Sequence, residues 1–140
     1  MTFGKFLVCR ELRSVAALLV ALAVTGCGPR LAPVHGKAML ANGRPAAGSQ
    51  VVFEGEVDGK PVTARGDVRD DGSFEMSTYA PGDGVPPGKY RVQVNPPPMV
   101  SAEAPVALPF SSKYVNFQTS GLTFEVKPGQ SNELNLKLEK

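Results

Sequence analysis

Residues 122–138 read Leu122-Thr123-Phe124-Glu125-Val126-Lys127-Pro128-Gly129-Gln130-Ser131-Asn132-Glu133-Leu134-Asn135-Leu136-Lys137-Leu138. Apolar side chains take every second position before the break, at Leu122, Phe124 and Val126, and again after it, at Leu134, Leu136 and Leu138. A period of two places them on one face of an extended chain, with polar residues on the other, which is the pattern of a half-buried strand. Lys127-Pro128-Gly129-Gln130 separates the two runs with turn residues, proline presetting φ and glycine permitting a positive one.

The same pattern repeats towards the N-terminus. Tyr90, Val92 and Val94 alternate with Arg91, Gln93 and Asn95 after Val85-Pro86-Pro87-Gly88. Asp70-Asp71-Gly72 turns into a strand over Ser73 to Thr78, with Phe74 and Met76 on one face. Asp58-Gly59 precedes a strand that starts at Pro61 and runs through Val62, Ala64 and Gly66, and Gln50 to Glu54 points Val51 and Phe53 inward. Val34, Gly36, Ala38 and Leu40 share a face opposite His35, Lys37 and Met39, and Asn42-Gly43 ends that strand. No stretch after Cys27 holds a 3.6-residue stripe. Short strands at this spacing predict an all-β, antiparallel sandwich of about seven strands. Pro96 to Pro109 departs from the pattern: five prolines and a single charge, Glu103, exclude a central strand and predict an extended loop over one end.

The chain has 140 residues, 15 Lys and Arg against 13 Asp and Glu, and a net charge of +2. Lys5, Arg10, Arg13 and Glu11 account for that whole excess, and the chain beyond Cys27 is neutral. A nucleic-acid partner, which needs a clustered basic surface, is not expected. The basic residues precede the apolar run Val15 to Val24, the layout of a secretory leader. The run covers about half of the roughly 20 residues a membrane-spanning helix requires. Val24-Thr25-Gly26-Cys27 then resembles the bacterial lipobox, an aliphatic residue and two small ones before an obligatory cysteine. That resemblance implies cleavage before Cys27, a diacylglycerol on its thiol, and an acyl chain such as palmitate on the freed amine. Residues 1–26 are then a lipoprotein signal peptide, 27–33 a lipidated tether and 34–140 the folded domain. The alternative is an ordinary leader followed by a chance cysteine in a soluble secreted protein. Two or more acyl chains, each methylene contributing about 0.8 kcal/mol, anchor stably where one does not. The expected site is the cell envelope. Gly28, in place of the Asp that retains such proteins at the inner membrane, points to the outer one. Cys9 leaves with the leader and Cys27 is consumed by lipid, so no disulfide is expected.

Val34-x-Gly36-Lys37-Ala38, Asn42-Gly43-Arg44-Pro45-x-x-Gly48-x-x-Val51-x-Phe53, Asp70-Asp71-Gly72-Ser73-Phe74 and Val85-Pro86-Pro87-Gly88-Lys89-Tyr90-Arg91-Val92 together resemble the carboxypeptidase regulatory-like domain. The resemblance implies a transthyretin-like Greek-key sandwich over residues 34–140. Pro109 to Tyr114, Thr119 to Thr123 and Val126 to Gly129 are similar to a subgroup of small bacterial envelope lipoproteins. A scaffold of this kind hosts many tasks, so the likeness specifies fold more than function.

Little in the residues points to catalysis or metal binding. His35 is the only histidine, and with no free cysteine after Cys27 neither a nucleophile–base pair nor a zinc site is expected. Asp67, Asp70, Asp71 and Glu75 lack the spacing of a calcium loop and read as solvated turn residues. Lys37 and Asn135 invite comparison with the isopeptide bonds of some adhesin sandwiches, but strand parity turns both to water. No cofactor is expected. The reading is a non-enzymatic lipoprotein, held to its membrane through Cys27, whose sandwich has a structural or adhesive role with an unidentified partner. The alternative is a carbohydrate-binding module, with Tyr79, Phe110, Tyr114 and Phe117 near the long loop as candidate ligand rings, against the commoner reading of such rings as core or loop packing. An enzyme is a third class, for which the sequence offers no base.

Overall fold

The computed structural model describes residues 30–98 and 107–140. The leader, the lipobox residues Val24, Thr25 and Gly26, Cys27 itself, and residues 99–106 of the proline-rich stretch lie outside them. Among the described residues, seven strands succeed one another in chain order: β1 (Val34–Leu40), β2 (Gln50–Val57), β3 (Lys60–Asp67), β4 (Ser73–Glu75), β5 (Gly88–Asn95), β6 (Leu122–Val126) and β7 (Asn132–Leu138). They form two sheets, β4-β1-β7 and β3-β2-β5-β6. One buried cluster joins them, with Val34, Ala38 and Phe74 from the first and Val51, Phe53 and Val92 from the second. The molecule is therefore an all-β, two-sheet domain, as the period-two pattern predicts.

The turns form where the sequence places them. Asp58 and Gly59 both have positive φ, at 51° and 74°, which gives the two-residue β2–β3 hairpin the twist its strands need. Asp71 accepts the Ser73 amide at 2.9 Å and hydroxyl at 2.6 Å, closing the turn into β4. Those bonds hold the Asp71 carboxyl below its ordinary pKa. Asn132 is buried and ties the β6–β7 turn together: its side chain accepts the Lys127 amide at 2.9 Å and donates to the Gln130 and Lys127 carbonyls at 3.0 and 3.1 Å.

Two expectations are corrected. The sandwich is not wholly antiparallel: β1 and β7 pair in parallel over seven residues, from Val34 with Asn132 to Leu40 with Leu138. Alternation reports which face a residue takes and carries no strand direction, and these two strands have no hairpin between them to fix it. Ala32 is buried and exchanges backbone hydrogen bonds with Val85, both at 2.9 Å, so the fold begins before Val34. Finally, the strand expected over Ser73 to Thr78 stops at Glu75. Past Met76, whose amide still bonds to Val34, the chain crosses to β3, where Ser77 and Arg65 exchange hydrogen bonds at 2.9 and 2.8 Å.

Strand directions define two ends. Val34, Val57, Gly88, Val126 and Asn132 lie at the lower end, with the Ala32–Val85 pair; Leu40, Gln50, Asp67, Asn95 and Leu138 lie at the upper end. Tyr90 fills the lower core, its ring centroid 5.7 Å from that of Phe53, and its hydroxyl donates to the Pro86 carbonyl at 2.7 Å. Burial first, and the neighbouring Tyr79 second, push its phenol up to about 12.

Gly36 marks a close approach of backbones in the first sheet. A Cβ there would overlap the Leu134 carbonyl oxygen, which belongs to the backbone of β7 and has no rotamer by which to yield. Gly36→Ala should therefore lower stability by roughly 2–4 kcal/mol, measured by urea unfolding. An alanine variant as stable as the parent would show that β1 and β7 do not approach this closely.

Candidate functional site

A cleft of about 720 Å³ runs along the flank where β3 and β4 come together. Outward parity on β3 supplies Arg65 and Asp67 to it, β2 supplies Gln50, β4 supplies Glu75, and Arg69 comes from the β3–β4 connection. Its far wall is the chain from Ser77 to Gly82, which carries Tyr79. Tyr79 is 69% exposed and stands out as the exposed large hydrophobic side chain among the described residues.

The wall is ordered by its own side chains. Asp83 accepts the amides of Thr78, Tyr79 and Ala80 at 2.7, 2.9 and 2.9 Å. Ser77 accepts the Gly82 amide at 2.8 Å, and the Thr78 hydroxyl donates to the Gly84 carbonyl at 2.7 Å. Burial works to raise the Asp83 pKa, but the amide donors together outweigh it and hold the carboxyl below its ordinary value. Across the cleft, Gln50 donates to Asp67 at 2.8 Å, while Arg69 lies 3.6 Å from the Glu75 carboxylate. Both members of that ion pair are more than half exposed, so it contributes little to stability and its groups are free to exchange partners. A planar ring, two guanidinium groups, two carboxylates and an amide around one cleft can stack on a sugar ring and bond its hydroxyls.

The four aromatic side chains considered as candidate ligand rings do not come together. Phe110 is 2% exposed and Tyr114 5% exposed; the rings meet edge to face at 6.2 Å and close the core beside β5. A 3-10 turn over Ser112–Val115 carries Tyr114, and the Ser111 amide bonds to the Glu139 carbonyl at 2.7 Å, which fastens this segment beyond β7. Phe117 is half-buried, with the Arg91 guanidinium 5.9 Å from its ring centroid. Arg91 also pairs with Glu54 at 2.6 Å, in a smaller cleft of about 490 Å³ on the outer face of β2, β5 and β6. Of the four rings, Tyr79 alone belongs to the large cleft. Sequence reading missed Arg65, Arg69, Gln50 and Asp83. The outward parity of Arg65 was visible, but the folding of the Ser77–Gly82 wall beside it was not.

No family model, curated protein or solved structure matches the chain.

The remaining polar candidates lie apart from the cleft. His35 Nδ1, on the outer face of the first sheet, is 3.2 Å from the hydroxyl of Ser131 in the β6–β7 turn, and both residues are exposed. Lys37 and Asn135 are register partners across β1 and β7 and are exposed; the Asn135 carbonyl accepts the Lys37 amide at 3.2 Å and its NH2 donates to Glu133 at 2.9 Å. Asp67, Asp71 and Glu75 each have a separate protein partner, and no three metal-ligating residues converge among the described residues.

The Asp83 bonds generate a pH dependence. A depressed carboxyl pKa stabilises the wall above its ordinary value of 3.8, and that stabilisation is lost as the pH falls through the folded value. Asp83→Asn should speed hydrogen exchange at Thr78, Tyr79 and Ala80 by about tenfold near neutral pH. The parent should approach the variant in acid. Equal exchange in both at neutral pH would show that Asp83 does not hold the wall.

Proposed function

We propose that this chain is a membrane-anchored lipoprotein of the bacterial envelope whose sandwich has a non-catalytic, structural or adhesive role. Cys27 carries the lipid and the outer membrane is its destination. The domain is read as a transthyretin-like Greek-key sandwich of the carboxypeptidase regulatory-like kind. Two features support the fold reading: β4 returns beside β1 after the β2–β3 hairpin, and the resembling turn motifs occupy the strand ends. The observation that carries the anchoring reading is the junction. An apolar leader ends in Val24-Thr25-Gly26-Cys27, and a folded domain with its own core starts within five residues. Cys27→Ala should abolish incorporation of labelled fatty acid and release the protein from the membrane fraction. Label and sedimentation that survive the substitution would refute the anchor.

A second reading, carbohydrate binding, rests on the exposed Tyr79 ring among the polar groups of the large cleft. The buried rings of Phe110 and Tyr114 do not contribute to it. Loss of one stacking ring is worth roughly 0.5–1.5 kcal/mol beyond its buried area, so Tyr79→Ala should weaken any glycan captured on an array by about tenfold. No capture by the parent, or capture indifferent to this substitution, would discard the reading.

A further inference from the structure

The Ala32–Val85 pair fixes where the chain enters the sandwich, and that point is at the lower end. Gly84 makes the entry close: a Cβ there would overlap the Ala32 carbonyl. Five residue steps separate Ala32 from Cys27, and a fully extended chain covers at most about 17 Å in that length. The eight residues of β2, at about 3.3 Å each, make the sandwich roughly 26 Å tall. With the upper end on the bilayer, Ala32 would stand about 26 Å above the surface, beyond the reach of the tether.

We propose that the lower end of the sandwich, formed by the β2–β3 hairpin, the Val85–Gly88 segment and the β6–β7 turn, lies against the phospholipid headgroups. The inference rests on the lipid-anchor reading and goes beyond it by assigning the face that meets the membrane. Arg30, Lys60, Lys89 and Lys127 present cations for headgroup phosphates, while Glu56, Asp58, Glu125 and Glu133 offset them, so tether length rather than net charge sets the orientation. The upper end then faces away from the bilayer. Asn95, from which the proline-rich stretch departs, and Phe110, into which it returns, both belong to that end: Asn95 pairs with Gln50, and Ser111 bonds beyond Leu138 at Glu139. The Asn42-Gly43 and Asp70–Gly72 turns share it. The Tyr79 cleft, running along a flank, stays open to solvent.

The cysteine content permits a direct test, because Cys9 precedes the cleavage point and Cys27 bears the lipid, leaving engineered thiols unique in the mature chain. Lys60→Cys and Gln130→Cys mark the lower end; Arg44→Cys and Asp70→Cys mark the upper end, all at exposed positions. The lipidated full chain is placed in phospholipid vesicles containing headgroup nitroxides, with a fluorophore on each thiol. Quenching at 60 and 130 should exceed that at 44 and 70 by roughly threefold or more, given a height greater than the tether. Inserting a flexible segment of about 20 residues after Pro29 should remove the difference. Equal or inverted quenching in a chain that carries its lipid by intact mass and pellets with the vesicles would overturn the orientation alone. So would a difference that survives the insertion. A chain without lipid that remains in solution would overturn the anchor, and the orientation with it.

Discussion

The pairing of the first strand with the last holds the architecture together. Seven registered residue pairs join β1 to β7, and among the described residues only this contact connects the C-terminal strand to its sheet. Gly36 makes the approach possible by leaving room for the Leu134 carbonyl, while Asn135 takes the neighbouring Lys37 amide on its side chain. β1 in turn holds β4 on its other side, from His35 with Glu75 to Lys37 with Ser73. Removing the β1–β7 contact would strip Leu136 and Leu138 from the core and leave a two-stranded remnant, marginal by itself, facing the four-stranded sheet.

The two flanks of the sandwich are closed by different means. Where β3 and β4 meet, backbone bonds between Arg65 and Ser77 bridge the sheets, and the chain beyond them folds into the wall of the Tyr79 cleft. On the flank of β6 and β7, side chains take over. Phe110 and Tyr114 fill the gap, and the Ser120 hydroxyl donates to the Val92 carbonyl at 2.6 Å. This division separates burial from recognition: aromatic residues that seal the second flank are closed to ligands, whereas the first flank keeps its polar groups and one ring in solvent.

Legibility in the sequence divides along the same physical line. Leu134, Leu136 and Leu138, or Tyr90, Val92 and Val94, announce their strands because burial of one face imposes a period of two. Gly43, Gly59, Gly72 and Gly129 sit at turns with positive φ, where local chemistry is sufficient. The parallel direction of β7 had no local signal, being decided by contacts nearly the whole domain apart. The inclusion of Ala32 was hidden for a similar reason, since its partner Val85 is distant in sequence. Phe110 and Tyr114 could be read either as core packing or as ligand rings because they lie in an irregular segment, where no alternation marks which side is inward. In the cleft, Tyr79 was legible as an aromatic in a turn-rich stretch, but its placement beside Arg65 and Arg69 arises only when the chain crosses from β4 to β3.

Parallel terminal strands also have a mechanical meaning. The chain enters β1 at the lower end and leaves β7 at the upper end, so opposite pulls on the two termini slide one strand along its neighbour. Force then falls on all seven paired positions together, as in shear, instead of parting them one at a time as in a zipper.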